Sequence, residues 1–254
     1  MKKLYLLPLL SLLLSLYGCS KDDEIICQKR VMTYNVHNCL GTDEVFDYKR
    51  IADIINQANP DLVALQELDS VTTRNNGIYS LAELAKFTGM HAVYCASIDY
   101  KGGKYGIGIL SKEQPLSYHK TTIPGNSEKR SMLVVEYKDL YFCSTHWSLV
   151  DSERMASVYV IQKNLSNKNK PVIIGGDFNA SPYSAEMLAF KKYFNCLNEE
   201  NEYTFPSENP KKTIDYLFAY NKTDYTFIKS GTTVMDEKIA SDHCPLYVDV
   251  TFLK

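Results

Sequence analysis

The sequence predicts an α/β protein of the α+β kind, in which two packed sheets carry helices on their outer faces. Three observations lead there. Short runs of branched and aromatic residues recur along the chain, segments of helical period fall between them, and 254 residues with 45% hydrophobic content suffice for one substantial core.

In order, residues 29–36 (KRVMTYNV), 61–67 (DLVALQE), 106–111, 131–137, 140–146, 171–178, 213–220 and 246–253 read as strands. Each is short and apolar, and many close on a polar residue. Cys95 lies in a run of the same character. Residues 47–56 and 80–87 carry helical apolar spacing. So do 152–165, where Met155, Val158, Ile161, Gln162 and Leu165 follow an acidic, hydroxyl-bearing start suited to capping. No internal repeat or low-complexity tract is visible.

The first residues read differently. Lys2 and Lys3 precede an apolar run from Leu4 to Tyr17, too short to span a bilayer, and then Gly18 and Cys19. "LYGC" resembles a lipoprotein cleavage site, with Cys19 as the lipidated residue, and "SKDDE" resembles the acidic export signal of surface lipoproteins. The expected organisation is a signal peptide over 1–19, a surface linker over 20–28 and one domain over 29–254. The expected location is the outer membrane, facing the periplasm or the cell surface through a lipid anchor on Cys19. We expect a monomer.

Six further cysteines, Cys27, Cys39, Cys95, Cys143, Cys196 and Cys244, show no C-x-x-C pair and no zinc-finger spacing with histidines. Mostly free, buried thiols are expected, with one disulfide at most. The net charge of −2 gives no general attraction for polyanions. G-x-S-x-G, H-E-x-x-H and G-x-x-x-x-G-K are all absent, which removes the anchors for serine hydrolase, zinc protease and nucleotide triphosphatase readings.

The polar residues at strand ends carry the chemistry. Asn35, Glu67, His146, Asp177 and Asn179 each follow an apolar run, while Asp215 sits in "IDY" and Asp242 with His243 in "SDHCP". Taken singly, each has a structural explanation, such as an Asx turn at Asp177 and Asn179. Together they supply what hydrolysis of an anionic phosphoester needs. Glu67 and Asn35 offer oxygen ligands to a hard divalent cation. Asp177 can deprotonate an attacking water. Asn179, His146 and His243 can donate to oxygens that gain charge, with Asp215 holding His243 protonated.

With these residues in place, "TYNVH", "DLVALQE", "STHWS", "GGDFNASP", "TIDYLF" and "SDHCPL" together resemble the successive motifs of the endonuclease/exonuclease/phosphatase family. That group contains DNase I-like nucleases, exonuclease III-like repair enzymes, neutral sphingomyelinases and inositol-phosphate phosphatases. The resemblance spans about residues 30–252. It implies a four-layered α/β/β/α sandwich with mostly antiparallel, DNase I-like sheets, and dependence on Mg²⁺ or Mn²⁺. It places Asn35 and Glu67 on metal ligands and His146, Asp177, Asn179, Asp215, Asp242 and His243 on the catalytic set, Asp242 also touching metal or water.

Three more residues are candidates for substrate contact. Arg74, in "DSVTTRNNG", has a guanidinium suited to phosphate. Lys104 and Tyr105, in "DYKGGKYGIGILS", follow a glycine-rich turn that resembles a substrate-reaching segment of the family. Trp147 is expected to be buried beside the site. The sequence therefore predicts a metal-dependent phosphoester hydrolase, first a phosphodiesterase or nuclease acting on nucleic acid, a phospholipid headgroup or a small phosphodiester. The alternatives are a phosphomonoesterase on sugar, inositol or lipid phosphates, and a lipoprotein that binds a phosphorylated ligand without turnover.

Overall fold

A computed structural model describes residues 24–126 and 128–254. The expected signal peptide, Cys19 and the first part of the linker lie outside the described residues. The strands are β1 (Ile25–Asn35), β2 (Leu62–Ser70), β3 (His91–Tyr100), β4 (Gly103–Ser111), β5 (Ser117–Ile123) and β6 (Arg130–Glu136). They continue with β7 (Tyr141–His146), β8 (Val172–Asp177), β9 (Phe194–Cys196), β10 (Asp215–Tyr220), β11 (Thr226–Val234) and β12 (Leu246–Leu253). The helices are α1 (Tyr48–Ala58), α2 (Ser80–Thr88), α3 (Asp151–Leu165) and α4 (Ala185–Phe190).

These strands make two six-stranded sheets, ordered β11-β12-β1-β2-β4-β3 and β5-β6-β7-β8-β10-β9. Each holds one parallel pair, β1 with β2 and β7 with β8, and is otherwise antiparallel. A parallel pair needs a crossover, and α1 and α3 provide the two. The inner faces of the sheets share a core that includes Val31, Ile109, Leu133, Phe142, Leu217 and Val248. Helices α1 and α2 bury their apolar stripes on the outside of the first sheet, and α3 and α4 on the outside of the second. The four layers match the expected sandwich.

Local chemistry sets the element ends. Asp47 accepts from the Arg50 amide and starts α1, which ends on Asn59 in the left-handed region. Gly175 and Gly176 mark a close approach: a Cβ on Gly176 would lie 2.2 Å from the Thr145 carbonyl, and one on Gly175 would meet Ala64 and Thr33 of the facing sheet at 3.2 and 3.3 Å. The paired glycines thus let β8 run tightly between its neighbours toward Asp177.

The structure corrects one boundary. Residues 25–28, expected in the linker, already belong to β1, with Ile25 opposite Leu253 and Cys27 opposite Phe252. The six described cysteines are free, and five of them are buried. Trp147 is buried as expected, against Phe178 and Phe190. Among the described residues no helix is long and apolar enough to cross a membrane.

Candidate active site

The two parallel pairs end on the same side of the molecule, and their carboxyl ends carry the polar residues. Asn35 closes β1. His146 and Asp177 close β7 and β8 and stand opposite each other in register, with Asp215, the first residue of β10, opposite Asp177 on its other side. The turn before β12 brings in His243. That turn is tied down by Ser241 Oγ, which donates to the Asn35 carbonyl at 2.7 Å, and by the Ser207 and Cys244 amides, which bond to Asp242 and Thr204.

Glu67 reaches the site through a bulge. The register of β2 against β4 shifts between Leu65 and Leu68, and Glu67 takes φ 59°, in the left-handed region that disfavours a side chain. Such a bulge re-aims one residue, and strain of this kind collects at functional sites. Asn179 is similarly held, with φ 48°, its amide donating to Asp177 Oδ1 at 2.8 Å and its Nδ2 to the Trp147 carbonyl at 3.1 Å. The Asx turn expected of this motif is therefore present.

One cavity of about 840 Å³ is lined by Glu67, His146, Asp177, Asn179, His243 and Tyr105, among others. Asn35 Nδ2 donates to Glu67 at 3.0 Å and to Asp177 at 3.1 Å. His146 Nε2 stands 3.5 Å from Asp177 Oδ2, and His243 Nε2 stands 3.8 Å from the same oxygen. His243 Nδ1 donates at 2.8 Å to Asp215 Oδ2, which also accepts from Thr204 Oγ1 at 2.5 Å.

Burial and charge sort these groups. Burial alone presses the His243 imidazole toward neutrality, but the Asp215 charge and hydrogen bond, with Asp177 and Asp242, raise it to about 10. His146 goes the other way: burial, then the charges of Arg130 and His243, hold it well below the usual histidine range, so it is neutral despite its closeness to Asp177. Burial, then the Asp215 charge, raises the Asp177 carboxyl to about 7, against His243 and the hydrogen bonds from Asn179 and Asn35. The site has a charged histidine, a neutral one, and a carboxylate poised near neutral pH.

The donor set fits a hard divalent cation. Glu67 lines the cavity, Asn35 is hydrogen-bonded to Glu67 through Nδ2, and that is the one side-chain hydrogen bond of Glu67 among the described residues. Asp177, Asp215 and His243 also bring ligand-type atoms within 4.8 Å of one another. Both nitrogens of His243 face those carboxylates, which suits holding a proton better than ligating a metal. Asp242 lies beside this group: its Oδ1 is 4.0 Å from His37 Nδ1, and the His37 amide in turn donates to Asn35 Oδ1 at 3.1 Å.

Of the three substrate candidates, the structure brings only Tyr105 to the cavity. It lies near Glu67, and burial with that charge keeps its phenol protonated. Arg74 is corrected: Nε and Nη2 grip the fully buried Asp69 at 2.6 and 2.7 Å, and the guanidinium packs over Tyr100 and Tyr105. Its fork is spent on an internal carboxylate that could not stay buried alone. Lys104 is also corrected, being half-exposed and paired with Asp99 outside the cavity lining. The arginine that does line the cavity is Arg130, at the start of β6, with a buried Nε lacking a partner and Nη1 3.2 Å from Glu128. Its sequence signal was a cation opening an apolar strand run.

A four-layered sandwich whose parallel strands end in this acid, amide and histidine group gathers the residue types that hydrolysis of phosphoric esters uses. Residues 32–243 match the endonuclease/exonuclease/phosphatase family, and the chain belongs to that family, whose members are phosphoester hydrolases and generally depend on divalent metal. No curated protein matches the chain in sequence. Among solved structures, it resembles an endonuclease/exonuclease/phosphatase from Bacteroides vulgatus at 17% identity over 88% of this chain and 98% of that one, with TM-score 0.73. It resembles a family protein from Bacteroides thetaiotaomicron at 16% identity over 90% and 98%, TM-score 0.72. A mannosyl-6-phosphatase from Bacteroides thetaiotaomicron aligns at 17% identity over 87% and 98%, TM-score 0.71. At these identities the likeness is one of fold.

Proposed function

We propose that this protein is an exported, monomeric, lipid-anchored hydrolase of phosphoric esters that works with Mg²⁺ or Mn²⁺ held at Glu67 and Asn35. The observation that carries the reading is the convergence of six residues from six separate chain segments: Glu67, His146, Asp177 and His243 line one cavity, and Asn35 and Asp215 are hydrogen-bonded to them. When bound, the cation supplies Lewis-acid stabilisation of charge on the phosphoryl oxygens.

The chain's own groups do the rest. Asp177 takes the proton of a water that attacks phosphorus, and Asn179, whose turn fixes the Asp177 carboxylate, helps orient that water. His243, kept cationic by Asp215, donates to a phosphoryl oxygen, and neutral His146 and the Tyr105 phenol add donors. The ester P–O bond breaks, and the leaving oxygen takes a proton as it departs as an alcohol. Arg130 presents its guanidinium to the phosphate, in the role the sequence suggested for Arg74. Arg130→Gln is accordingly expected to lower kcat/KM by about a hundredfold, as loss of one charged donor does, measured on any ester the wild type cleaves.

The sequence pointed first to a diester. A monoester is the second reading, favoured by the mixed charges of the cavity lining, where Glu128 and Glu200 stand among Arg130, Lys211 and Lys212. Hydrolysis of bis-p-nitrophenyl phosphate and p-nitrophenyl phosphate by the chain from Ser20 onward, with Mg²⁺, with Mn²⁺ and with a chelator, tests both. Turnover with metal that a chelator abolishes supports the hydrolase. Binding of phosphate without turnover of either ester would turn the reading to a ligand-binding lipoprotein.

A further inference from the structure

The cavity extends beyond the reacting groups, and its outer wall is aromatic. Tyr183 and Tyr203 line it yet remain 71% and 47% exposed, and Leu149 is 72% exposed at the same mouth. Large apolar surface left open beside a polar site marks a place for a ligand. Deeper in, the Phe205 ring packs on His243 with centroids 4.8 Å apart, so the aromatic wall begins at the catalytic histidine and runs outward.

The outermost ring also has charged neighbours. Tyr183 and Glu200 both line the cavity mouth. Glu200 is ion-paired to Lys191, whose Nζ also donates to the Pro182 carbonyl at 3.0 Å and lies 5.8 Å from the centre of the Tyr183 ring. With Lys191 beside the ring, Tyr183 has fewer positions to lose on binding, which lowers the ordering cost of stacking.

Charge narrows the ligand. Four carboxylates line the cavity: Glu67, Glu128, Asp177 and Glu200. Against them stand Arg130, Lys211 and Lys212. With the basic side chains matched by carboxylates, the wall has no surplus for a row of phosphates, and the whole chain carries −2. A nucleic-acid strand is held by successive phosphate contacts to Lys and Arg, and the cavity lacks such a track.

We infer that the substrate is a small compound with a single phosphate group, as mono- or diester, whose leaving group carries a ring that stacks on Tyr183 and Tyr203. This rests on the hydrolase reading above. Water adds to phosphorus, the P–O bond to the ring-bearing group breaks, and that group leaves as the alcohol with a proton. The ring can be a sugar, presenting its C–H face, or a nucleoside, presenting its base.

Phosphate release or ester cleavage with Mg²⁺ tests this on glucose 6-phosphate, adenosine 5′-monophosphate and the ringless glycerol 3-phosphate, each as the monoester and the methyl diester, beside a single-stranded oligonucleotide. One ring compound is expected to exceed its glycerol counterpart in kcat/KM by about tenfold or more, the worth of one stacked ring. Tyr183→Ala should erase most of that ratio through KM, and Tyr183→Phe should keep it. A preferred hexose ester identifies a sugar phosphate; a preferred nucleotide identifies a nucleoside phosphate. Best turnover on the oligonucleotide or on glycerol esters, or a ratio that Tyr183→Ala leaves intact, overturns the inference while the hydrolase stands. Failure to cleave any of these or the p-nitrophenyl esters overturns the hydrolase reading, and this inference with it.

Discussion

Asp177→Ala is expected to lower kcat by about 10³–10⁴-fold, the range for a lost general base acting with its neighbours, without lowering thermal stability. The first half follows from position: Asp177 stands between both histidines and Asn35, at the end of the strand that the paired glycines carry into the site. The second half follows from its discomfort. Burial and the Asp215 charge raise its carboxyl to about 7, so the fold holds this group in a state that its surroundings resist. Removing it relieves that repulsion and leaves His243 still paired with Asp215. The melting temperature should stay level or rise, as when a functional carboxylate is stripped from a strained site. A variant that keeps a tenth of wild-type turnover, or melts well below it, would show that Asp177 is a structural acid.

The interior of the fold was readable because most of its strands are buried on both faces. All eight runs recognised in the sequence are the interior strands, β1, β2, β4, β6, β7, β8, β10 and β12. Three of the four edge strands, β5, β9 and β11, carry no continuous apolar run, and in β3 the run is short, since an edge faces water along one side and partly across its surface. In β5 only Ile123 is buried, and in β11 no residue is, so the apolar signal fades; β3 showed itself only around Cys95. The site was legible for a related reason: a polar residue ending a buried strand stands out against the run before it.

What the sequence could not supply was which charges neutralise each other. Arg74 and Arg130 look equally available in one dimension. In the fold the buried Asp69, two residues beyond Glu67, consumes the Arg74 fork, whereas Arg130 lines the cavity and its buried Nε has no partner among the described residues. The spacing Asp69, Thr72, Arg74 was a local hint, since Thr72 Oγ1 donates to the same carboxylate at 2.8 Å. The bulge that turns Glu67 had no such mark, because it arises from the pairing of β2 with β4.

Asp215→Ala should behave opposite to Asp177→Ala in stability while sharing its loss of activity. Asp215 is almost wholly buried and binds His243 Nδ1 at 2.8 Å and Thr204 Oγ1 at 2.5 Å. Taking it away leaves the imidazolium without its hydrogen-bonded counter-charge, 3.8 Å from Asp177, and leaves the Thr204 hydroxyl without an acceptor. Breaking one side of a buried pair costs about 3 kcal/mol, which for a domain of this size lowers the melting temperature by about 6–12 °C. Asp215→Asn separates the two effects. Its amide retains the shape and the Thr204 contact but cannot hold the histidine cationic, so it should melt nearer the wild type and still lose at least about a hundredfold in kcat. Thermal unfolding and turnover on the same samples decide it. If Asp215→Asn keeps near-normal kcat, the positive charge on His243 plays no part in hydrolysis, and Asp215 is there to hold the turn before β12 in place.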